Sequence, residues 1–413
     1  MRPFPLFSPS PSASSASSLD LVFREDEQAA LTRFLQALVR TPSPSTQESD
    51  VAQLVQAELH AVGIEDVSTD PVGNVLARLG DGDGPTLLYD AHMDTVVATD
   101  AEWPYDPHAA QIVDGVLYGL GACDMKGSLA AMVYAAGRLV EAQPPLHGSL
   151  VLAFVVQEEP CEGCALKALV EESGIRPDWV LLGEPSDLDV MCGHRGRVLF
   201  KVTTRGKSSH SSSPELGENA ITAAARLIFG IDLLAADLGT DPFLGPGTIA
   251  VTHIESKAAS TNAIPDACVF YVDRRLTLGE TPTRAQAQIE AVIEREGLEA
   301  QIEVIEYQAT SYTGYQIRAR EAFNAWALEE NHPLVQATGA AAQAVLGRAP
   351  RLGHWSFSTD GVYSMAEATI PTVGFGPGDP RYVHTCQEHV RLDDVARAAQ
   401  VYALLAAMLL GEA

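Results

Sequence analysis

Leu150 to Val156 is an unbroken apolar run that ends in Gln157-Glu158-Glu159, and it constrains the fold more than any other stretch. It is too short for an ordinary buried helix and too apolar for a strand with one wet face. It therefore reads as a strand covered on both sides, at the centre of a mostly parallel sheet. Neighbouring segments agree. Thr86-Leu87-Leu88-Tyr89 and Trp179-Val180-Leu181-Leu182 are short apolar strands. Lys126 to Val140 carries Leu129, Val133 and Ala136 at helical spacing, and Ala165 to Glu172 also reads as helix. Upstream, Arg24 to Arg40 has helical spacing and stops before Pro42 and Pro44. Ser45-Thr46-Gln47-Glu48 has the form of a capping box opening a helix that ends at Gly63. Alternation of this kind predicts an α/β fold whose central sheet is flanked by helices.

The texture changes near Gly193. Val198 to Arg205, Thr248 to His253, Ala267 to Leu276 and Ile302 to Tyr307 read as strands, with helices at Asn219 to Leu234 and Ala285 to Arg295. Fewer crossovers predict an inserted α+β unit over 193–312. The α/β texture then returns, with a helix at Pro333 to Leu346, a strand at Thr369 to Phe375 and a helix at Leu392 to Leu410. The expected organisation is a tail at 1–18, an α/β domain in two parts at 19–192 and 313–413, and the insertion between them. A chain of 413 residues is long enough for two cores. The Ser/Pro/Ala-rich tail lacks the apolar segment of a secretory signal and reads as disordered.

Lys and Arg number 27 against 54 Asp and Glu, a formal charge of −27. Such a surface repels nucleic acid and anionic membranes, so neither is expected as a partner. No apolar run approaches the roughly 18 residues of a membrane span. The 6 cysteines are too scattered for a disulfide framework, which points to a reducing, cytoplasmic setting. Cys161 and Cys164 form a CxxC with no second CxxC to complete a zinc site.

The apolar strands end in metal-ligand residue types. Leu87-Leu88-Tyr89 leads to His92 and Asp94, Leu150 to Val156 to Glu158 and Glu159, Leu181-Leu182 to Glu184, and Thr372 to Phe375 to His384. In an open α/β sheet the carboxyl ends of the strands border the ligand crevice. Asp124 lies just before a helix in Gly119-Leu120-Gly121-Ala122-Cys123-Asp124, where it could be a helix cap. A dinucleotide loop is excluded because Asp124 stands where the third glycine is required. Adjacent carboxylates such as Glu158 and Glu159 repel unless cations or protons intervene. One would serve a metal, leaving the other to move protons. Asp94 is placed to orient His92 through its second ring nitrogen. Two divalent ions balance Asp124, Glu159, Glu184 and a hydroxide, and imidazole with carboxylate suits zinc, cobalt or manganese.

These residues resemble the two-zinc aminoacylase and exopeptidase family that includes acetylornithine deacetylase, succinyl-diaminopimelate desuccinylase and bacterial glutamate carboxypeptidase. The matches are His92-Met93-Asp94, Asp124-Met125-Lys126-Gly127, Glu158-Glu159, Glu184 in Leu182-Gly183-Glu184-Pro185, His384, and Gly206-Lys207-Ser208-Ser209-His210 in the insertion. The resemblance implies His92 and Glu184 on one zinc, Glu159 and His384 on the other, Asp124 bridging them, and Glu158 as general base. It implies that the insertion is a lid and dimerisation domain whose His210 reaches the partner subunit's site. Asn262, Arg275 (or Arg274 in the next register) and the Gly376 loop would hold a small substrate's carbonyl or carboxylate. The expected activity is hydrolysis of an amide or peptide bond in an N-acyl amino acid or short peptide. An N-carbamoyl amino acid hydrolase, or a binding protein that has lost catalysis, is the alternative. Pro160-Cys161-Glu162-Gly163 and Gly193-His194-Arg195-Gly196-Arg197 depart from the commoner pattern.

Overall fold

A computed structural model describes residues 21–80, 82–98 and 101–411, so the tail expected at 1–18 lies outside the described residues. Helix α1 (Glu25–Arg40) buries Leu31, Phe34, Leu35, Leu38 and Val39, a stripe at helical spacing, and opens on Glu25, Asp26 and Glu27, which suit the positive end of its dipole. Helix α2 (Ser49–Ala61) follows without the expected capping box, because both capping side chains are used elsewhere. The Ser45 hydroxyl donates to Asp94 (2.6 Å), and Glu48 accepts the backbone N–H groups of Thr46 (2.9 Å) and Gln157 (3.2 Å).

Strands β1 (Val67–Thr69), β2 (Val75–Gly80) and β3 (Thr86–His92) lead to helix α3 (Gly127–Ala142). Then come β4 (Ser149–Val155), α4 (Cys164–Ser173), β5 (Trp179–Leu182) and β6 (Val190–His194). The chain next builds a second sheet from β7 (Gly196–Arg205), α5 (Ala220–Leu234), β8 (Thr248–Lys257), β9 (Ala267–Leu276), α6 (Pro282–Arg295) and β10 (Ala300–Val304). It returns through β11 (Trp326–Ala327), α7 (Pro333–Leu346), β12 (Leu352–Trp355), β13 (Thr372–Gly374) and α8 (Leu392–Leu410).

The large sheet runs β1-β2-β4-β3-β5-β13-β6-β11, with β12 beside β6. Its four central strands, β4, β3, β5 and β13, are parallel, and antiparallel strands extend both edges. All seven residues of β4 are buried, as its apolar run requires; a buried Leu, Val or Phe side chain contributes about 1.5–3 kcal/mol. Helix α8 is tied to the sheet at both ends of one tyrosine. Tyr89 donates its hydroxyl to the Tyr402 carbonyl (2.6 Å), and the Tyr402 hydroxyl donates to the Phe375 carbonyl (2.7 Å). From β3 the chain passes to β4 on one side, then crosses to β5 on the other. That reversal puts the carboxyl end of β3, at His92, beside the crevice such sheets leave for ligands.

The second sheet is antiparallel, ordered β8-β9-β7-β10, and has its own core of Val198, Phe200, Val202, Leu227, Phe270, Val272 and Ile289 beneath α5 and α6. Burial alternates residue by residue along β9, the period-two pattern of a strand with one covered face. The predicted strand Ile302 to Tyr307 is broken. β10 stops at Val304, and Glu306–Thr310 pairs instead with Gln316–Arg320 in a hairpin. That hairpin lies on the large α/β body, where Tyr312 donates to the Gly73 carbonyl (2.7 Å) and Thr313 to the Pro71 carbonyl (2.6 Å). Ala322–Phe323 then pairs with β7 before the chain leaves the second sheet. Among the described residues no helix is long and apolar enough to cross a membrane.

Candidate metal centre

His92 is the last residue of β3, and Glu158, Glu159 and Glu184 lie just past the carboxyl ends of β4 and β5. Asp124 occupies a tight turn leading into α3; Gly121 there has φ +79, a conformation side chains disfavour, and its absent Cβ leaves room for Thr95 and Lys126. His384, itself at φ +58, follows β13. The five ligand types therefore arrive from separate stretches of chain at one sheet edge.

Asp124 stands between the two histidines. His92 Nε2 lies 2.9 Å from Asp124 Oδ1, and His384 Nε2 lies 3.3 Å from Asp124 Oδ2. On the first side Glu184 is 4.0 Å from His92 Nε2; on the second, Glu159 is 2.9 Å from His384 Nε2. Two groupings bring their ligand atoms within 4.8 Å: His92, Asp124 and Glu159, and His92, Glu158 and Glu184. Glu158 is buried, and its Oε1 has no hydrogen-bond partner.

The electrostatics show what this arrangement lacks. Burial, followed by the neighbouring carboxylates, pushes Glu158 and Glu184 well above the usual carboxylate range, and Glu159 rises for the same reasons. Burial works on Asp124 in the same direction, but His384 and His92 hold it below its ordinary value. Hydrogen bonds to Asp124 and Glu159 raise His384 to about 10. Burial disfavours the charged form of His92, yet Asp124, Glu158 and Glu184 still raise it. Four carboxylates and two imidazoles, without thiolate, thus form a buried anionic cluster short of positive charge. That donor set fits divalent cations, which His92, Asp124, Glu159, Glu184 and His384 would hold.

Asp94 orients its neighbours differently from the sequence expectation. The Nδ1 of His92 lies 2.9 Å from the Asp94 backbone carbonyl and 3.7 Å from its carboxylate. β3 ends at His92, so Asp94 lies beyond the strand and its side chain turns elsewhere. Its carboxylate accepts the N–H groups of Glu158 (3.1 Å) and Glu159 (3.3 Å). Gly376 also departs from expectation: its N–H is taken by the Ser186 hydroxyl (2.9 Å), so it is not free for a substrate. A side chain at Gly376 would strike the carbonyls of Gly183 and Glu184, so close backbone contact explains the glycine.

His210 and Asn262 meet in an exposed loop of the second sheet, with His210 Nε2 3.4 Å from Asn262 Nδ2. They are not among the groups gathered at the anionic cluster. Arg274 is fully buried in an ion pair with Glu280, which removes it as a substrate ligand. Arg275 is partly exposed on the opposite face of β9 and pairs with Asp273 (2.8 Å). Cys161 and Cys164, whose CxxC has no second pair to complete a zinc site, are joined in a disulfide.

Three supporting acids escaped the sequence reading. Glu388 accepts the N–H groups of Cys123 (3.0 Å) and Asp124 (3.1 Å), and burial pushes it up to about 8. Asp90 and Asp360 are buried close to one another, each with an unpartnered oxygen, and both are raised first by burial, Asp360 to about 6. Glu388 is four residues past His384 and Asp90 two before His92, the only local hints. Nothing near Asp360 marks it.

A sheet edge that gathers two imidazoles and buried carboxylates, one with an unpartnered oxygen, defines a metal-dependent hydrolase. Residues 88–408 match the model of peptidase family M20/M25/M40, and the chain belongs to that family. It is 36% identical over 383 residues to the uncharacterized protein YgeY of Escherichia coli K12, covering 92% of this chain and 94% of the relative. It is 30% identical over 386 residues to a succinyl-diaminopimelate desuccinylase of Alkalilimnicola ehrlichii, covering 91% and 98%. The fold matches that of an M20 family metallo-carboxypeptidase from Sulfolobus solfataricus with a TM-score of 0.73 at 18% identity, over 93% of this chain and 99% of the other. Family members and neighbours of this kind are metal-dependent hydrolases.

Proposed function

We propose that the protein hydrolyses an amide or peptide bond in a small carboxylate-bearing substrate, an N-acyl amino acid or short peptide, with zinc as its working metal. The observation that carries this reading is the buried, unpartnered Oε1 of Glu158 beside His92 and Glu184. When bound, two divalent cations would polarise the scissile carbonyl and draw a water's pKa from 15.7 toward about 7. Glu158 takes the proton from that water at its free oxygen and returns it to the departing amine. Asp94 fixes the backbone from which Glu158 projects, and the Asp94 carbonyl fixes the tautomer of His92. Arg275 holds the substrate carboxylate.

The second sheet acts as a lid and pairs two copies of the chain. Phe229 and Leu233 on α5 are 73% and 68% exposed, and the outer edge of β8 has no partner strand among the described residues. An apolar stripe beside an open strand edge supports a two-fold contact. His210, which is not among the groups gathered at its own chain's cluster, then donates to the oxyanion in the partner's site, a contribution on the order of 3 kcal/mol. The desuccinylase and metallo-carboxypeptidase named above support the substrate class. The test is zinc-loaded protein against N-acetyl and N-succinyl amino acids, dipeptides and N-carbamoyl amino acids. Release of a free amino acid from an acyl or peptidyl substrate supports the reading. Ammonia released only from N-carbamoyl compounds transfers the activity to that substrate class, and no turnover on any of them refutes it.

A further inference from the structure

The two sequence departures, Pro160-Cys161-Glu162-Gly163 and Gly193-His194-Arg195-Gly196-Arg197, meet each other. Glu162 follows the glutamate pair by three residues, is 7% exposed, and accepts the Ser358 hydroxyl at Oε1 (2.6 Å) and Arg197 Nη2 at Oε2 (3.1 Å). Arg197 belongs to β7, the strand by which the chain enters the second sheet. It also lies 3.5 Å from Glu321 and 5.3 Å above the Phe323 ring, where the chain leaves that sheet. One guanidinium thus touches both connections of the second sheet and the segment that carries Glu158.

The other end of that segment is gripped from the same side. Tyr307, on the hairpin that follows β10, donates its hydroxyl to Gln157 Oε1 (2.7 Å). Gln157 is fully buried and adopts φ +53, a conformation a glutamine holds only when its surroundings fix it. Between the two grips the Cys161 N–H closes a turn on the Glu158 carbonyl (2.9 Å), and just past Glu162 the Gly163 N–H donates to Asp360. A shift of Glu162 therefore passes through a short, hydrogen-bonded turn to the backbone of Glu158.

We propose that Arg197, acting through Glu162, is a positioning residue for Glu158 that couples the placement of the second sheet to the orientation of the base; this rests on Glu158 being the base. Arg197 touches no reacting atom. It holds a buried carboxylate whose loss of charge or partner would release the turn. Burial of Glu162 without Arg197 would leave an uncompensated anion, so the two side chains act as a unit.

The test uses full-length zinc-loaded protein carrying R197Q, R197K, E162Q and the R197Q/E162Q pair. Hydrogen–deuterium exchange across residues 157–163 is read alongside kcat, KM and metal content on the substrate found by the screen above. R197Q and E162Q should each speed exchange in that segment about tenfold or more and lower kcat by a similar factor, leaving KM and two bound metals. The double variant should be no worse than either single, and R197K should recover part of both effects. Unchanged exchange in the singles, or effects that multiply in the double variant, overturns the coupling. If R197Q does not fold, E162Q, which keeps the shape of the side chain, decides the question. Should E158Q retain turnover, the base assignment fails, while the exchange data still report whether the turn is held by Arg197.

Discussion

Asp94→Ala should loosen the catalytic edge without emptying it of metal. The Asp94 carboxylate is fully buried and accepts the Glu158 N–H (3.1 Å), the Glu159 N–H (3.3 Å) and the Ser45 hydroxyl (2.6 Å). A hydrogen bond to a charged group contributes about 1.5–3 kcal/mol, and a buried donor left unpaired costs about 1–3 kcal/mol. Ser45 is only partly buried and can turn to water, so the cost falls on the two backbone donors. The expected destabilisation is about 3–5 kcal/mol. Asp94→Asn keeps one acceptor oxygen and presents an NH2 group to the other donors, so roughly half that loss is expected. His92 is held by the Asp94 backbone carbonyl, which neither change removes, so metal content should stay at the wild-type level. Turnover should fall about 10²-fold, because the released backbone misplaces Glu158 by a fraction of an ångström or more. Urea unfolding followed by tryptophan fluorescence measures the first quantity. The four tryptophans, at 103, 179, 326 and 355, all lie outside the second sheet, so the signal reports the α/β body. A D94A protein within 1 kcal/mol of wild type, or one that loses its metals at full stability, would refute this reasoning.

Glu158→Gln should bind metal like the wild type and lose turnover by about 10²–10⁴-fold, measured by steady-state kinetics beside elemental analysis. Gly374→Ala places a methyl group against the Trp355 ring, with the nearest ring carbon 1.8 Å from the new Cβ, so thermal unfolding should show a loss of about 3 kcal/mol or a failure to fold. The stabilisation conferred by zinc should grow as pH rises from about 5.5 to about 8. Glu158 and Glu184 have raised pKa values in the metal-free fold, so that fold binds more protons than the unfolded chain and loses stability as pH rises. Zinc displaces those protons. Groups outside the cluster, such as His194, contribute equally with and without metal; an equal melting-temperature gain at both pH values would contradict the assignment. Phe229→Asp with Leu233→Asp should yield monomers in sedimentation and lower turnover, and an unchanged oligomer would remove α5 from the interface.

The centre of the fold was legible because its strands announce themselves. A run such as Leu150 to Val156 has one comfortable environment, and the alternation in β9 has one covered face. The edge strands were not legible. Val75–Gly80 exposes four of its six residues in part or whole, and becomes a strand only by pairing with β4, about 75 residues away. Ile302 to Tyr307 reads as one strand locally, yet its two halves pair with different partners, a choice made by tertiary contacts.

The site divides in the same way. Ligand types at strand ends could be read because the ends of parallel strands converge whatever the intervening sequence. The roles of Glu388, Asp360 and Arg197 could not, since their partners lie between about 35 and 265 residues away; nearness to His384 and an unusual motif hint at Glu388 and Arg197 without naming those partners, and nothing local marks Asp360. Ser45 and Glu48 show the converse. Their spacing matched a helix cap, but the buried Asp94 carboxylate and the buried Gln157 backbone N–H offered them stronger partners.

Metal stoichiometry tests the central claim most directly. The protein is dialysed free of metal, reconstituted with zinc, and its content measured by elemental analysis beside Asp124→Asn. Two tightly held ions per chain, with the loss of at least one in the variant, is the expected result, because the two oxygens of Asp124 face different histidines. No specific zinc, or two ions unaffected by D124N, would contradict the account.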